Sequence, residues 1–318
     1  MSDVPKRYSL RSDGPLSATI SAQGAALVGL VWSSTAETRE LVLDPDMDGY
    51  DRREDSAYVG AVCGRVCGRI ANGRYRRADG SVVQLARNEG DHHLHGGGDG
   101  ALNRLIWAPA RPGAVEDASS LRLKAISPEG AEGYPGTLEA EIIYKLDGPR
   151  LDVWMQAVCD TPCPINLTLH PYFNLARDKA AAIGNHELMV AATEICALDQ
   201  ALAATGEVHT IAGTGDDFRS RRKIGSHSLD TIFRLNGALP AASLTSPEGD
   251  LTLTVEAQTD ALVVYDGSGL AEVLRAQGGG ICLEPQDLPL AFKLPDLEHP
   301  AGQPWTSHIR YTLSEIAD

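Results

Sequence analysis

Several stretches of this 318-residue chain carry side chains that can move protons or grip a polar ligand. In 165–175, INLTLHPYFNL, Ile165, Leu167 and Leu169 alternate with Asn166, Thr168 and His170. That is the period of a strand with one apolar and one polar face. Pro171 cannot donate to a ladder, so His170 is expected at a strand terminus, a good place for a site. In 278–286, GGGICLEPQ, Ile281 and Leu283 point one way and Cys282 and Glu284 the other. A glutamate between Leu and Pro loses water, which favours its neutral form and makes it a stronger base. The bland alternatives are a surface histidine and a solvated glutamate at strand ends.

Two more stretches supply binding groups. DHHLHGGG, 91–98, puts His93 and His95 on one face of a strand, a pattern open to a metal, but no further ligand is picked out. The glycines after His95 permit close approach of a ligand to backbone, so an organic ligand is the stronger expectation. GRVCGRIANG, 64–73, lacks the lysine and following helix of a phosphate loop. Arg65, Arg69 and Arg74 offer planar donor pairs for hydroxyls or carboxylates, with surface ion pairing as the alternative.

The elements that must position these groups are short strands. Alternating or continuous apolar runs fall at 16–22, 26–33, 40–44, 60–75, 81–85, 105–108, 120–126, 137–146 and 150–158. They resume at 187–192, 194–198, 231–235, 251–257, 261–265, 280–284 and 307–313. Asp147-Gly148-Pro149 joins 137–146 to 150–158 as a hairpin. The polar, acidic run 45–54 reads as a loop. No segment sustains a helical period, and the 32 glycines and 18 prolines are spread as punctuation. The expectation is an all-β chain folded as one large antiparallel sandwich, a single domain over 1–318.

Composition narrows the partners. A net charge of −15 opposes nucleic-acid backbones and anionic membrane surfaces. No apolar run reaches the length of a signal peptide core or a membrane span, so a soluble cytoplasmic protein is expected. Cys63, Cys67, Cys159, Cys163, Cys196 and Cys282 are expected to be reduced, buried thiols. The 63/67 and 159/163 pairs have three residues between them, where zinc pairs more often have two.

Taken in order, these stretches resemble the aldose 1-epimerase (galactose mutarotase) family. GAVCGRVCGRIANGRY resembles its arginine motif, with Gly68 where the family usually has Asn. DHHLHGGGDG resembles its Asn-His-Leu-His-Gly-Gly motif, with His92 at the asparagine position. INLTLHPYFNL resembles its histidine motif, with Leu169 in place of an asparagine. LDTIFRL, 229–235, resembles its Asp-His-x-Phe segment, with Thr231 in place of the histidine. GGGICLEPQDLP resembles its glutamate motif, and ATGE at 204–207, AGT at 212–214 and DFR at 217–219 match its usual run. The ordered set spans about 28 to 312, and each motif alone is weak.

The resemblance implies a galactose mutarotase-like supersandwich that interconverts the α and β anomers of a free aldose such as galactose or glucose, without metal or organic cofactor. It implies Glu284 as catalytic base and His170 as catalytic acid, with Arg69, His95 and Asp230 binding the sugar. The partner implied is a small monosaccharide, and the chain a monomer or homodimer. Other readings stay open: a glycoside hydrolase using Asp230 and Glu284, a non-catalytic sugar-binding protein, or a relative acting on sugar phosphates through Arg65, Arg69, Arg74 and Lys293.

Overall fold

The structure, a computed structural model, describes residues 5–35, 37–45, 57–110, 115–179, 181–276, 278–293 and 297–316. Three antiparallel sheets dominate: one of ten strands, one of six and an N-terminal one of four. The only α-helix among the described residues is the single turn Glu272–Arg275. The all-β expectation holds, and the expected 137–158 hairpin forms with Asp147 opposite Arg150. The acidic run expected as a loop lies outside the described residues beyond Pro45. No helix among the described residues is long and apolar enough to cross a membrane.

Period-two patterning builds the core. In Leu138–Asp147, residues Leu138, Ala140, Ile142, Tyr144 and Leu146 are buried and alternate with more exposed positions. The paired strand Arg150–Cys159 buries Leu151, Val153, Met155 and Ala157 toward the same side. These inward residues join Ile309 and Tyr311 of the ten-stranded sheet, Leu10, Ile20 and Leu30 of the N-terminal sheet, and Phe233, Leu262, Val264, Ile281 and Leu283 of the six-stranded sheet in one hydrophobic cluster. Each large side chain so buried contributes roughly 1.5–3 kcal/mol. Phe173 and Tyr311 span the space between sheets with ring centroids 5.2 Å apart.

The six-stranded sheet has two unlike faces. It turns Ile281, Leu283, Val264, Leu262 and Phe233 toward the core. By alternation, its other face carries Cys282 and Glu284, Val263 and Tyr265, and Asp230 and Ile232. Three adjacent strands bring these abreast: Asp230 pairs with Tyr265 and Tyr265 with Cys282, while Ile232 pairs with Val263 and Val263 with Glu284.

One strand expectation is corrected, and further strands form beside those expected. The 165–170 run is not one continuous strand with a wet polar face. Only Thr168–Leu169 is strand, paired with Val62–Cys63, and residues 165–176 are all buried. The polar face is consumed by the neighbouring Ile281–Gln286 strand and the turn after it. Thr168 Oγ1 donates to the Pro285 carbonyl at 2.9 Å, and the Asn166 amide exchanges two hydrogen bonds with the Asp287 backbone at 3.0 Å. Strands at Arg7–Arg11, Ala204–Thr210 and Ala242–Thr245 also form without having been expected. All six cysteines are free and buried, as expected.

Candidate active site

A pocket of about 300 Å³ opens over the outer face of the six-stranded sheet, within the range of small-molecule sites. Arg69, His95, His170, Asp230 and Glu284, the five candidate site residues of the sequence, all line it. They lie far apart in the chain, and the fold brings them to one cavity.

The pocket floor is the outer face of those three adjacent strands. Glu284 sits mid-strand in Ile281–Gln286, every residue of which is buried, and is itself 1% exposed. His170 comes from the kink at Pro171 between Thr168–Leu169 and Tyr172–Phe173, and is 4% exposed. Its Nε2 lies 3.2 Å from Glu284 Oε1, and its Nδ1 lies 3.3 Å from Cys282 Sγ. Glu284 Oε2 is buried with no hydrogen-bond partner among the described residues. A buried carboxylate oxygen left unpaired costs free energy, a cost that falls most heavily on the ionised form.

Burial sets the protonation of this pair. Desolvation pushes the Glu284 carboxyl well above its ordinary range, helped by the Asp230 charge and opposed by Arg69. The same desolvation pulls the His170 imidazole down to about 4. A histidine at a wet strand end would keep its ordinary value or rise beside a carboxylate; burial of the ring reverses that expectation. With both side chains buried, the uncharged arrangement, Glu284 protonated and His170 neutral, is the cheaper one. It holds the same number of protons as carboxylate with imidazolium, so one proton shift interconverts them.

His95 closes one side. Its ring stands edge-on to His170 with centroids 5.3 Å apart and packs on Tyr58 at 4.6 Å. Its Nδ1 accepts the Gly68 N–H at 3.3 Å, which leaves Nε2 as the protonated nitrogen of a neutral ring. Burial, with His170 and Arg69 adding to it, holds the ring well below its ordinary value. The backbone of His95 lies in the left-handed region at φ 50°, followed by Gly96 at φ 92°. A Cβ at Gly96 would come 1.7 Å from the Gly64 carbonyl, so the loop needs glycine there.

His93 does not share this site. It is fully buried elsewhere, with Nδ1 2.7 Å from the Ala86 carbonyl and Nε2 2.8 Å from the Tyr134 hydroxyl. The expected common face for His93 and His95 fails because the strand ends at Leu94 and His95 turns out of it. A different trio has metal-like spacing: ligand atoms of His95, His170 and Glu284 lie within 4.8 Å of one another.

Arg69 and Asp230 meet at the pocket wall, Arg69 Nη1 lying 3.5 Å from Asp230 Oδ2. Burial raises the Asp230 carboxyl, and Arg69 pulls it back. The other edge of Arg69 is held by Glu89, Nε to Oε2 at 2.7 Å and Nη2 to Oε1 at 2.9 Å. Sequence reasoning missed Glu89. Its only signal was a carboxylate three residues before the histidine cluster. Gln286 also lines the pocket and accepts the Cys67 thiol at 2.7 Å.

The other arginines do not reach the pocket. Arg65 is 1% exposed and is neither a ligand group nor a surface ion-pair partner. It donates to Ser127 Oγ and to the carbonyls of Ser127, Pro128 and Pro135 at 2.9–3.0 Å, tying the 64–73 loop to a neighbouring turn. Arg74 is exposed on its strand. Lys293 is spent on Asp287 at 2.8 Å.

Known proteins share this architecture. A family model described as aldose 1-epimerase matches residues 6–312. The galactose mutarotase of Bos taurus is 32% identical over 309 residues, 91% of this chain and 87% of that protein. The aldose 1-epimerase of Escherichia coli K12 is 30% identical, over 95% of this chain and 93% of that one. Among solved structures, an aldose epimerase homologue from C. elegans superposes with a TM-score of 0.87 at 24% identity, covering 98% and 100% of the two chains. The galactose 1-epimerase of Lactobacillus acidophilus gives 0.84 at 25% identity, over 97% and 94%.

Proposed function

We infer, from a chain that belongs to the aldose 1-epimerase family, an isomerase that interconverts the α and β anomers of a free aldose such as galactose or glucose. The observation that carries the residue assignment is the buried His170–Glu284 contact of 3.2 Å in a pocket that also holds Asp230 and Arg69.

Anomer exchange transfers one proton from the C1 hydroxyl to the ring oxygen. The C1–O5 bond breaks, the aldehyde turns about C1–C2, and the ring recloses on its other face. Glu284 takes the first proton and His170 delivers one to O5. For that, the pair must start as carboxylate and imidazolium and finish as acid and neutral ring. Reclosure runs the transfer backwards, so both proton arrangements occur in each cycle. Burial favours the uncharged arrangement, and a bound sugar that donates its C1 hydroxyl to Glu284 shifts the balance toward the charged one.

Neutral His95 can donate through Nε2 to a ring or hydroxyl oxygen. Asp230 and the Arg69 Nη1 beside it hold ring hydroxyls, keeping O1 and O5 within reach of the proton-transfer groups. On this reading the chain acts as one domain in the cytoplasm, as a monomer or homodimer, without metal or cofactor.

Polarimetry of freshly dissolved α-D-galactose and α-D-glucose tests the reaction. Acceleration over the spontaneous rate is expected for at least one. If neither sugar nor any other neutral aldose is accelerated, the reading fails.

A further inference from the structure

Glu89 is not a loose surface carboxylate. The turn that carries it is built. The Asn88 side chain donates to the Tyr58 hydroxyl at 3.2 Å and to the carbonyls of Leu94 and Gly97 at 3.0 and 3.1 Å. Asn88 Oδ1 accepts the Leu94 N–H at 2.8 Å. Glu89 and His92 then close the turn with mutual backbone bonds of 2.9 and 3.2 Å, around Gly90 at φ 55°. The Glu89 side chain is thereby aimed at the pocket, where it engages Arg69 through two parallel bonds.

That engagement changes what the pocket can bind. Arg69 is the sole arginine or lysine among the described residues lining it, against the carboxyl groups of Glu89, Asp230 and Glu284. A guanidinium recognises phosphate or carboxylate by presenting two parallel N–H donors. In Arg69 the Nε/Nη2 edge is filled by Glu89 and Nη1 is directed at Asp230. A ligand anion reaching for Arg69 would have to displace a carboxylate already seated and would meet like charge on both sides. Uncharged hydroxyls meet no such penalty, because both carboxylates have spare acceptor capacity.

We propose that Glu89 is a specificity-determining residue: by occupying the two-donor edge of Arg69 it restricts the site to uncharged aldoses and excludes sugar phosphates and sugar carboxylates. This rests on the mutarotase reading and deepens it. Removing the Glu89 charge frees that edge and leaves the pocket one unit more positive, which opens it to an anionic sugar.

The test compares wild type, Glu89→Gln and Glu89→Ala with D-galactose and D-galactose 6-phosphate. Binding is read by titration calorimetry and anomerisation by polarimetry, with circular dichroism to confirm folding. In wild type, galactose 6-phosphate is expected neither to bind at galactose-like concentrations nor to inhibit galactose turnover. In both variants it is expected to bind and inhibit roughly tenfold or more tightly than in wild type, the gain of one charge-assisted pair. Neutral-sugar turnover falls in the same variants as Arg69 loses its support, so a merely structural role would produce loss without the gain. Wild-type binding of galactose 6-phosphate as tight as galactose overturns the proposal, as do two folded variants that still exclude it. Failure of wild type on every neutral aldose is a different result, which removes the mutarotase reading; calorimetry of the phosphate still decides the role of Glu89.

Discussion

Replacing Glu284 by glutamine separates chemistry from stability. The substitution keeps shape and a hydrogen-bonding group 3.2 Å from His170, but removes the proton acceptor. General acid–base catalysis supplies about 10²–10⁴ in rate, so mutarotation should fall at least about a hundredfold, or about 2.7 kcal/mol of barrier. Stability should move the other way. Burial raises the Glu284 carboxyl in the folded chain. In the unfolded chain it ionises above about pH 4.3. Wild type therefore releases a proton on unfolding, and its stability falls as pH rises from about 4.3 toward the raised folded value. That slope is about 1.4 kcal/mol per pH unit. The glutamine variant lacks this slope. His170, lowered to about 4 by the same burial, is present in both proteins and cancels to first order. Urea denaturation at half-unit steps from pH 4.5 to 7 should show the variant gaining on wild type as pH rises, while polarimetry shows it inactive. A variant within about tenfold of wild-type activity would refute the base assignment. A stability difference flat across that window would refute the desolvation argument.

Other outcomes are expected. Asp230→Asn should raise KM for the sugar roughly tenfold or more through loss of a charge-assisted bond, read by initial-rate polarimetry. Arg65→Lys should cost about 3 kcal/mol or more in urea titrations, because one ammonium cannot reach the Ser127, Pro128 and Pro135 carbonyls together. Asp250, held well below the ordinary carboxylate range chiefly by Arg39, contributes stability above about pH 3.9 that is lost as pH falls below it. Asp250→Asn should therefore narrow its deficit against wild type between pH 6 and 3 in urea midpoints. Dialysis against a chelator should leave the mutarotation rate unchanged; a loss restored by a divalent cation would assign the His95, His170 and Glu284 cluster to a metal instead.

The strands were legible where one face met the core and the other met something more polar. In the 137–158 hairpin and the run at 251–257 the apolar positions of the alternation are the buried ones, with Asp152 and Thr252 buried as well. Thr168 and Asn166 read as a wet face because sequence records polarity but not the Pro285 and Asp287 backbone groups that satisfy them. His170 and Glu284 were visible as a histidine and a glutamate at strand positions, but their separation of 114 residues hid the contact. The direction of the His170 shift was hidden too, since it depends on burial that only the assembled pocket creates. His93 and His95 parted because left-handed backbone at His95 breaks the two-residue period. Glu89 left only its place before the histidine cluster as a signal: what it touches is an arginine on another segment.

The register of the six-stranded sheet also bears on how such a site can diversify. Glu284, Val263 and Ile232 stand abreast on adjacent strands, with Cys282, Tyr265 and Asp230 in the next row. The ladder bonds joining those strands are main-chain bonds, indifferent to side chains. Positions 263 and 232 can therefore be exchanged for residues of similar size without moving Glu284, whereas His170 is fixed independently by the kink at Pro171. Under the mutarotase reading, substitutions at 232 and 263 reshape the pocket floor while the main-chain ladder that carries Glu284 stays in place.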